Sequence, residues 1–491
     1  MNLAVVIRAT AGLCEVVKRH ATGTPTLVVG CDARYGSSEF ATAACRVASA
    51  AGLRVLALPQ ANPTPLTSFS MLHFNADAGV MVTASHNPAP DNGYKVYLGG
   101  SVVQGDGRGV QIVPPFDAEI AAAIEAAPPA DEVPMNDDLI EAVDPREEYV
   151  ACASALASGD GSARENLRIV LTAMHGVGAA ITSRVLAEAG FTNVSLVAAQ
   201  ADPDPDFPTV PFPNPEEAGA LDMAIEQARE QGADLIIAVD PDADRCALAV
   251  PDPASQTGWS PLSGDQIGSL IGEFLALRGL TGSLANSIVS SRLLSRIARA
   301  HGLEHHTTLT GFKWIARAPG LGFGYEEAIG FCPDPAHVRD KDGIATSVVA
   351  ASLVASLKTQ GRSVWDELER LARLHGLHVS SPLTFRVDDI EQIASGMARL
   401  RAQPPSVLAG SPVVEVSDLA QGYRGLPPTD GVLVLTEAED RVIARPSGTE
   451  PKLKCYLEVI LPVVDGEPLP WGQARERLEA IKAAFAEIIG L

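Results

Sequence analysis

The chain reads as an α/β protein, with three similar mixed-sheet α/β domains followed by a smaller α+β domain. Three observations lead there. Short apolar runs at 26–30, 78–82, 167–172 and 233–239 alternate with segments whose apolar residues recur at helical spacing. At 491 residues the chain is too long for one core, and length alone asks for about three or four domains. From about residue 380 the pattern changes to alternating strands closed by one terminal helix at about 472–489.

Taken in order, residues 3–20 place Leu3, Val6, Ile7, Leu13, Val16 and Val17 at helical spacing, and Lys18, Arg19 and His20 suit a helix end. A strand at 26–30, the polar turn Cys31-Asp32-Ala33-Arg34-Tyr35-Gly36-Ser37-Ser38, a helix at about 39–51, a strand at 55–58 and a proline-broken turn lead to the buried run 78–82. Asp91-Asn92-Gly93 then reads as a tight turn entering a strand that carries Lys95. A stretch rich in Ala, Pro, Asp and Glu at 125–165, with a Ser-Gly-Asp-Gly-Ser break, marks the first boundary. The domains are therefore drawn at 1–155, 164–262, 263–378 and 380–491. Within the second, the loop Met174-His175-Gly176-Val177-Gly178 precedes a helix. The proline-rich segment 202–215 excludes regular structure and is either an ordered extended connector or a disordered linker. A helix at about 216–231 and the strand 233–239 follow.

The net charge of −23 argues against nucleic acid and anionic membranes as partners. An anionic small molecule is not excluded, but it needs its own cluster of donors. The cysteines (Cys14, Cys31, Cys45, Cys152, Cys246, Cys332 and Cys455) are odd in number and far apart. That fits reduced thiols in a cytoplasm and offers no thiolate metal cage. The amino-terminal apolar run meets Arg8 too soon for a signal-peptide core, and no run approaches a membrane span.

Four motifs carry chemistry. Ser85 and His86 stand where the buried run ends in Thr83-Ala84-Ser85-His86-Asn87-Pro88. Pro88 disfavours helix at Asn87, so this is a shaped loop: either a nucleophile on a rigid support or a turn capping its own backbone. Asp240, Asp242 and Asp244 follow a strong apolar strand, and carboxylates at alternate positions on one short loop repel one another unless a hard cation sits among them. An EF-hand is disfavoured, because Arg245 stands where its loop needs glycine. An acidic solvated turn, or an aspartyl phosphatase with Asp240 as nucleophile, fits this segment alone. In Arg445-Pro446-Ser447-Gly448-Thr449-Glu450-Pro451-Lys452 an arginine fork, two hydroxyls and a glycine bend suit a phosphate. Glu326-Glu327, between glycines, suits paired sugar hydroxyls, since ionised carboxylates only accept hydrogen bonds. Arg34, Lys95, Lys313, His337 and Lys341 are further candidates for phosphate contact or proton transfer, although taken singly such a residue is more often a solvated side chain.

Together these motifs, with Gly324-Tyr325-Glu326-Glu327-Ala328-Ile329-Gly330 in third place, occur in the order of the α-D-phosphohexomutases, the phosphoglucomutase/phosphomannomutase family, which the chain resembles over nearly its whole length. Asp91-Asn92-Gly93-Tyr94-Lys95, Thr310-Gly311-Phe312-Lys313-Trp314 and the 202–217 connector look like the branch with phosphopentomutase-like and glucose-1,6-bisphosphate-synthesising members. The resemblance implies four domains around a central cleft, and a mutase interconverting sugar 1-phosphates with 6- or 5-phosphates, glucose or mannose phosphates first. It implies a phosphoserine at Ser85 whose phosphate completes a Mg²⁺ shell with Asp240, Asp242 and Asp244, and a sugar bisphosphate intermediate and activator. Arg245 would offset charge on the transferring group. Lys95 is the first choice for general acid/base and His86 the second. Glu326, Ala328, Lys313 and Lys341 would contact the sugar phosphate, while Arg445, Ser447, Gly448 and Thr449 would grip the phosphate that is not reacting. Small sugar phosphates are the expected partners, and the protein is expected to be a monomer or dimer. Two departures stand out. Residues 1–20 correspond to the family's first helix, which implies that the strand and arginine-bearing loop before it are lacking, and Ala328 stands where many members have serine. A metal-dependent sugar phosphatase and an inactive sugar-phosphate binder are the alternatives.

Overall fold

The computed structural model describes residues 1–387, 389–447 and 451–490. The first helix, Leu3–His20, begins where the Asn2 side chain accepts the Val5 N–H at 3.0 Å, and its buried stripe of Val6, Leu13, Val16 and Val17 packs into the first core. That core covers a sheet of β1 (Thr26–Cys31), β2 (Arg54–Ala57), β3 (Ala78–Val82), β4 (Tyr94–Leu98), β5 (Val110–Gln111) and β6 (Ile140–Ala142), in the order β5-β4-β3-β1-β2-β6. Strands β3, β1, β2 and β6 are parallel, whereas β4 and β5 each pair antiparallel to their neighbour. β3 is buried along its whole length, as an unbroken apolar run in a sheet covered on both faces should be.

The second sheet repeats the plan. β7 (Ile169–Thr172), β8 (Val194–Leu196), β9 (Leu235–Val239), β10 (Cys246–Pro251) and β11 (Trp259–Pro261) lie in the order β11-β10-β9-β7-β8, with β8, β7 and β9 parallel and β10 returning antiparallel to β9. The third segment contributes β12 (Ser283–Ser287), β13 (His305–Thr308), β14 (Leu321–Glu326) and β15 (Gly330–Cys332), of which β14 and β15 form an antiparallel hairpin. The last sheet is antiparallel throughout. Its strands β16 (Leu377–Arg386), β17 (Val407–Leu408), β18 (Ser411–Asp418), β19 (Val432–Thr436), β20 (Arg441–Pro446) and β21 (Lys452–Leu461) lie in the order β16-β21-β20-β19-β18-β17, and helices Ile390–Ala402 and Trp471–Ile489 bury Met397, Leu400, Leu478 and Phe485 against them.

The chain divides into two compact units, 1–285 with 311–364 and 286–310 with 365–491. The connector at 202–215 forms neither helix nor strand but is ordered by its own apolar residues, since Phe207 and Val210 bury beside Met174 and Ala220. The helix expected from about 216 starts later, at Asp222, because turns at 214–219, with Gly219 at φ 83°, continue the irregular path.

Candidate active site

Within the first unit the motifs occupy equivalent places. Each sits at the tip of an antiparallel pair: residues 83–93 between β3 and β4 (Val82 opposite Tyr94), 240–245 between β9 and β10 (Val239 opposite Cys246), and 327–329 between β14 and β15 (Glu326 opposite Gly330). Ser85 has φ 51°, a left-handed conformation that a serine adopts only where its surroundings impose it. Its Oγ donates to Asp240 Oδ2 at 2.9 Å and lies 3.2 Å from His86 Nδ1. The Ser85 N–H donates to Thr83 Oγ1 at 2.9 Å. From the neighbouring loop, the buried Arg34 side chain donates to the carbonyl oxygens of Ser85, Asn87, Pro88 and Asp91.

Asp240, Asp242 and Asp244 are all fully buried, and one oxygen of each lies within 4.8 Å of the others. Their immediate cations come from elsewhere in the chain. Lys95 Nζ donates to Asp242 Oδ2 at 2.8 Å and Asp244 Oδ2 at 2.6 Å; Lys341 Nζ is 3.1 Å from Asp244 Oδ2. The strand register explains Lys95: Met81 on β3 pairs with Lys95 on β4, which brings the lysine beside the Ser85 loop. Thr64, the first residue of helix Thr64–His73, holds Asp242 twice, with its hydroxyl donating to Oδ2 at 2.6 Å and its N–H to the main-chain oxygen at 2.9 Å. The Arg245 N–H donates to Asp240 Oδ1 at 2.9 Å. Asp242 Oδ1 and Asp244 Oδ1 are buried with no hydrogen-bond partner.

Burial, then the neighbouring Asp242 and Asp244, push the Asp240 carboxyl well above the ordinary range. Burial acts the same way on Asp244, but Lys341, Lys95 and Arg245 outweigh it and hold that carboxyl below its usual value. Burial would strip Lys95 of its proton; Asp242 and Asp244 prevail and keep it protonated beyond the ordinary lysine value, the opposite of the shift a general base needs. Lys341 is raised likewise, by Asp244 and Asp340 against burial. His86 is brought down to about 3 by burial and the Arg245 charge, so its imidazole is neutral. Two unpartnered carboxylate oxygens, a third carboxylate disfavoured as an anion and a serine hydroxyl make an all-oxygen donor set, which suits a hard dication such as Mg²⁺.

Glu326 ends β14, is 8% exposed and lies 3.8 Å from Arg245 Nη2, while the Ala328 carbonyl oxygen accepts from Arg245 Nη1 at 2.6 Å. Arg245 therefore ties the aspartate hairpin to the glutamate hairpin. Lys341 is flanked by Asp340, whose Oδ2 accepts from Tyr97 Oη and Gln111 Nε2, both at 2.7 Å. Lys313 is half-buried in the short helix Phe312–Ile315. His337 pairs with Asp334 at 2.7 Å on the surface. In the second unit, Arg445 lies on β20 opposite Lys454, and the Ser447 N–H closes that hairpin on the Lys452 carbonyl at 2.8 Å. Gly448 and Thr449 lie outside the described residues. Thr64 and the Tyr97–Asp340 link went unread in the sequence. The only sign of the first was Asn62-Pro63-Thr64-Pro65, where proline opens a helix.

Residues 1–130, 147–254 and 263–374 match, in turn, the phosphoglucomutase/phosphomannomutase α/β/α domains I, II and III. A Haemophilus influenzae protein named "Probable phosphomannomutase" is 43% identical over 466 residues, which cover 93% of each chain. The chain belongs to the phosphoglucomutase/phosphomannomutase family. It is a phosphosugar mutase, an isomerase, and the phosphatase and inactive-binder alternatives are not favoured. Human phosphopentomutase is 30% identical over alignments covering 99% of this mutase and 86% of that chain, and a Saccharomyces cerevisiae phosphoribomutase is 34% identical over 93% and 83%. In fold, the mutase resembles the Paramecium phosphoglucomutase parafusin in its open form, with TM-score 0.76 at 18% identity over 99% and 92% of the two chains. Among the described residues no helix is long and apolar enough to cross a membrane.

Proposed function

We propose that this mutase interconverts the 1-phosphate and 6-phosphate (or 5-phosphate) forms of a sugar, glucose or mannose phosphates first, with Ser85 as the phosphoryl carrier. The observation that supports this is the 2.9 Å contact of Ser85 Oγ with Asp240 across 155 residues of chain, in a cluster of three buried carboxylates. In the forward half, the bond between phosphorus and Ser85 Oγ breaks and one forms to the free sugar hydroxyl, whose proton leaves, giving a bisphosphate. After the bisphosphate turns over, its other phosphoryl returns to Ser85 and the sugar oxygen released takes up a proton. Asp240, Asp242 and Asp244 would hold Mg²⁺, which when bound offsets charge on the phosphoryl oxygens.

Arg245 adds a fixed cation at the same place and orients the 326–330 hairpin, so that Glu326 accepts from sugar hydroxyls beside Ala328. Lys95, held protonated, is the first candidate for general acid/base, as a donor to the departing oxygen, and His86, neutral and 3.2 Å from Ser85 Oγ, is the second, as a proton acceptor. Lys341 and Lys313 would contact the substrate phosphate or sugar, and Arg445, Ser447, Gly448 and Thr449 the distal phosphate. A catalytic amount of glucose 1,6-bisphosphate would prime Ser85. The cysteines are free thiols, which supports a cytoplasmic setting, and a monomer or dimer is expected.

The test is conversion of glucose 1-phosphate to glucose 6-phosphate with Mg²⁺ and trace glucose 1,6-bisphosphate, run beside mannose and ribose phosphates. Ser85→Ala should lower turnover by about 10³-fold or more and remove an adduct of about 80 Da from the Ser85 peptide. Turnover that survives the substitution would sink the proposal.

A further inference from the structure

We propose that Arg34 is a positioning residue for phosphoryl transfer: its guanidinium gathers the carbonyls of the Ser85 loop and so aims the serine oxygen at the carboxylates. This rests on the reading of Ser85 as the phosphoryl carrier. Arg34 follows β1 and is 4% exposed. Nη2 donates to the carbonyl oxygens of Ser85 and Asn87, both at 2.6 Å. Nη1 donates to those of Pro88 at 2.9 Å and Asp91 at 3.3 Å. On its third side Nε faces Asp32 at 3.4 Å, and Asp32 is itself fixed by the Ser37 hydroxyl at 2.6 Å and the Arg34 N–H at 3.0 Å. One face of the guanidinium is covered by the Phe207 ring at 5.0 Å. Phe207 belongs to the proline-rich connector, which thereby closes the clamp from outside.

The loop needs such a clamp. Residues 83–93 contain no helix or strand, Pro88 and Pro90 supply no N–H, and Ser85 is held at φ 51°. Their own backbone bonds are few: Thr83 to Gly93 at 3.2 Å closes the ends, and Asn87 to Ala84 and Asp91 to Pro88, both at 3.0 Å, lie within. Four carbonyls pointing at one place require several donors in a planar fork, which arginine has and lysine lacks. Because those donors are spent on backbone oxygens, Arg34 shapes the nucleophile's loop and does not grip a phosphate, as its sequence had allowed.

The experiment compares full-length wild type with Arg34→Lys, Arg34→Ala and Phe207→Leu, reading kcat and KM for glucose 1-phosphate, single-turnover phosphorylation of Ser85 by glucose 1,6-bisphosphate by intact mass, and thermal melting. Misplacing a reacting atom by about 1 Å costs about 10²-fold, so Arg34→Lys should lose about that much in kcat and in Ser85 phosphorylation, with KM within about threefold. Millimolar guanidinium chloride should restore Arg34→Ala by about tenfold where equal sodium chloride does not, and Phe207→Leu should lose a few-fold in kcat alone. Retained kcat in Arg34→Lys, a loss carried by KM, or guanidinium acting no better than sodium overturns the proposal. Should the Arg34 variants fail to fold, unchanged kcat in Phe207→Leu overturns it. A wild type without turnover or phosphoserine instead overturns the underlying reading of Ser85, and is told apart by appearing before any substitution.

Discussion

Thr64 offers a sharp probe of the carboxylate cluster, because it touches the chemistry through a single hydroxyl. In Thr64→Val the backbone bond to the Asp242 main-chain oxygen at 2.9 Å survives, while the 2.6 Å bond to Asp242 Oδ2 is lost and a methyl group must fit in its place. A hydrogen bond to a charged group contributes about 1.5–3 kcal/mol net. Asp242 Oδ2 keeps Lys95 at 2.8 Å, so the lower part of that range applies, roughly 1.5–2 kcal/mol. At about 1.4 kcal/mol per factor of ten, metal affinity should fall about 10- to 30-fold, within the range seen when residues that orient metal ligands are removed. The assay strips the protein with a chelator and titrates Mg²⁺ back while following sugar phosphate turnover. The half-saturating Mg²⁺ concentration should rise by that factor, with kcat at saturating Mg²⁺ within about threefold of wild type. An unchanged half-saturating concentration, in a variant that melts like the wild type, would refute the assignment of Asp242 as a metal ligand oriented by Thr64.

Two further outcomes follow from buried contacts. A Cβ at Gly176 would stand 2.3 Å from Pro241 Cα and 2.4 Å from Pro241 O, backbone atoms that have no easy way to yield. Gly176→Ala should therefore displace the aspartate loop, raising the Mg²⁺ requirement and lowering the melting temperature together; a variant with wild-type metal activation would refute it. Asp342 is pushed up to about 7 by burial, against the 3.8 of an unhindered carboxyl, although its Oδ1 caps helix Gly343–Thr359 through the Ala345 N–H at 2.8 Å. A raised carboxyl means that the folded chain keeps a proton the unfolded chain releases, so this contribution to stability is full below about 4 and is lost as pH rises towards 7. Asp342→Asn keeps an acceptor for the cap and cannot titrate. Its melting temperature should fall less than the wild type's between about pH 5 and pH 7.5, and equal slopes would count against a protonated Asp342.

Much of this was legible in the chain. Unbroken apolar runs such as Ala78-Gly79-Val80-Met81-Val82 and Leu235-Ile236-Ile237-Ala238-Val239 made the central strands plain, since only a sheet covered on both faces tolerates them. Asp240, Asp242 and Asp244 were legible as a cluster because they share one short loop, so their oxygens come together without any long-range fold. What the chain could not show is which cations face them. Lys95 reaches the cluster from 147 residues away through the β3–β4 register, and Lys341 reaches it from the segment that follows β15. Lys95 read as a proton carrier needing a lowered pKa; its two carboxylate partners hold it the other way, and no local pattern announces them. Arg34 was read as a possible phosphate contact, because an arginine in a polar turn looks the same whether its fork meets a ligand or four carbonyls.

The placement of the site follows from topology more than from any one motif. In each of the first three segments a strand is followed by an antiparallel return, and the candidate site residues lie at or beside the tip: Ser85 after β3, the three aspartates after β9, Glu326 at the end of β14 and Ala328 just beyond it. A tip at the carboxyl end of a buried strand is held by the sheet yet free to take whatever shape its residues dictate, which is where open α/β sheets generally bind ligands. Convergence of the tips then requires close backbone approach, and glycine supplies it. A Cβ at Gly343, which opens helix Gly343–Thr359, would fall 2.2 Å from the Arg245 carbonyl oxygen, and the Cys246 N–H donates to the Ile329 carbonyl at 3.1 Å, so main-chain contacts hold the aspartate hairpin against that helix and against the glutamate hairpin. The Arg245 side chain, bonded to the Ala328 carbonyl and facing Glu326, adds a second tie, so that a shift of one hairpin is felt by the other.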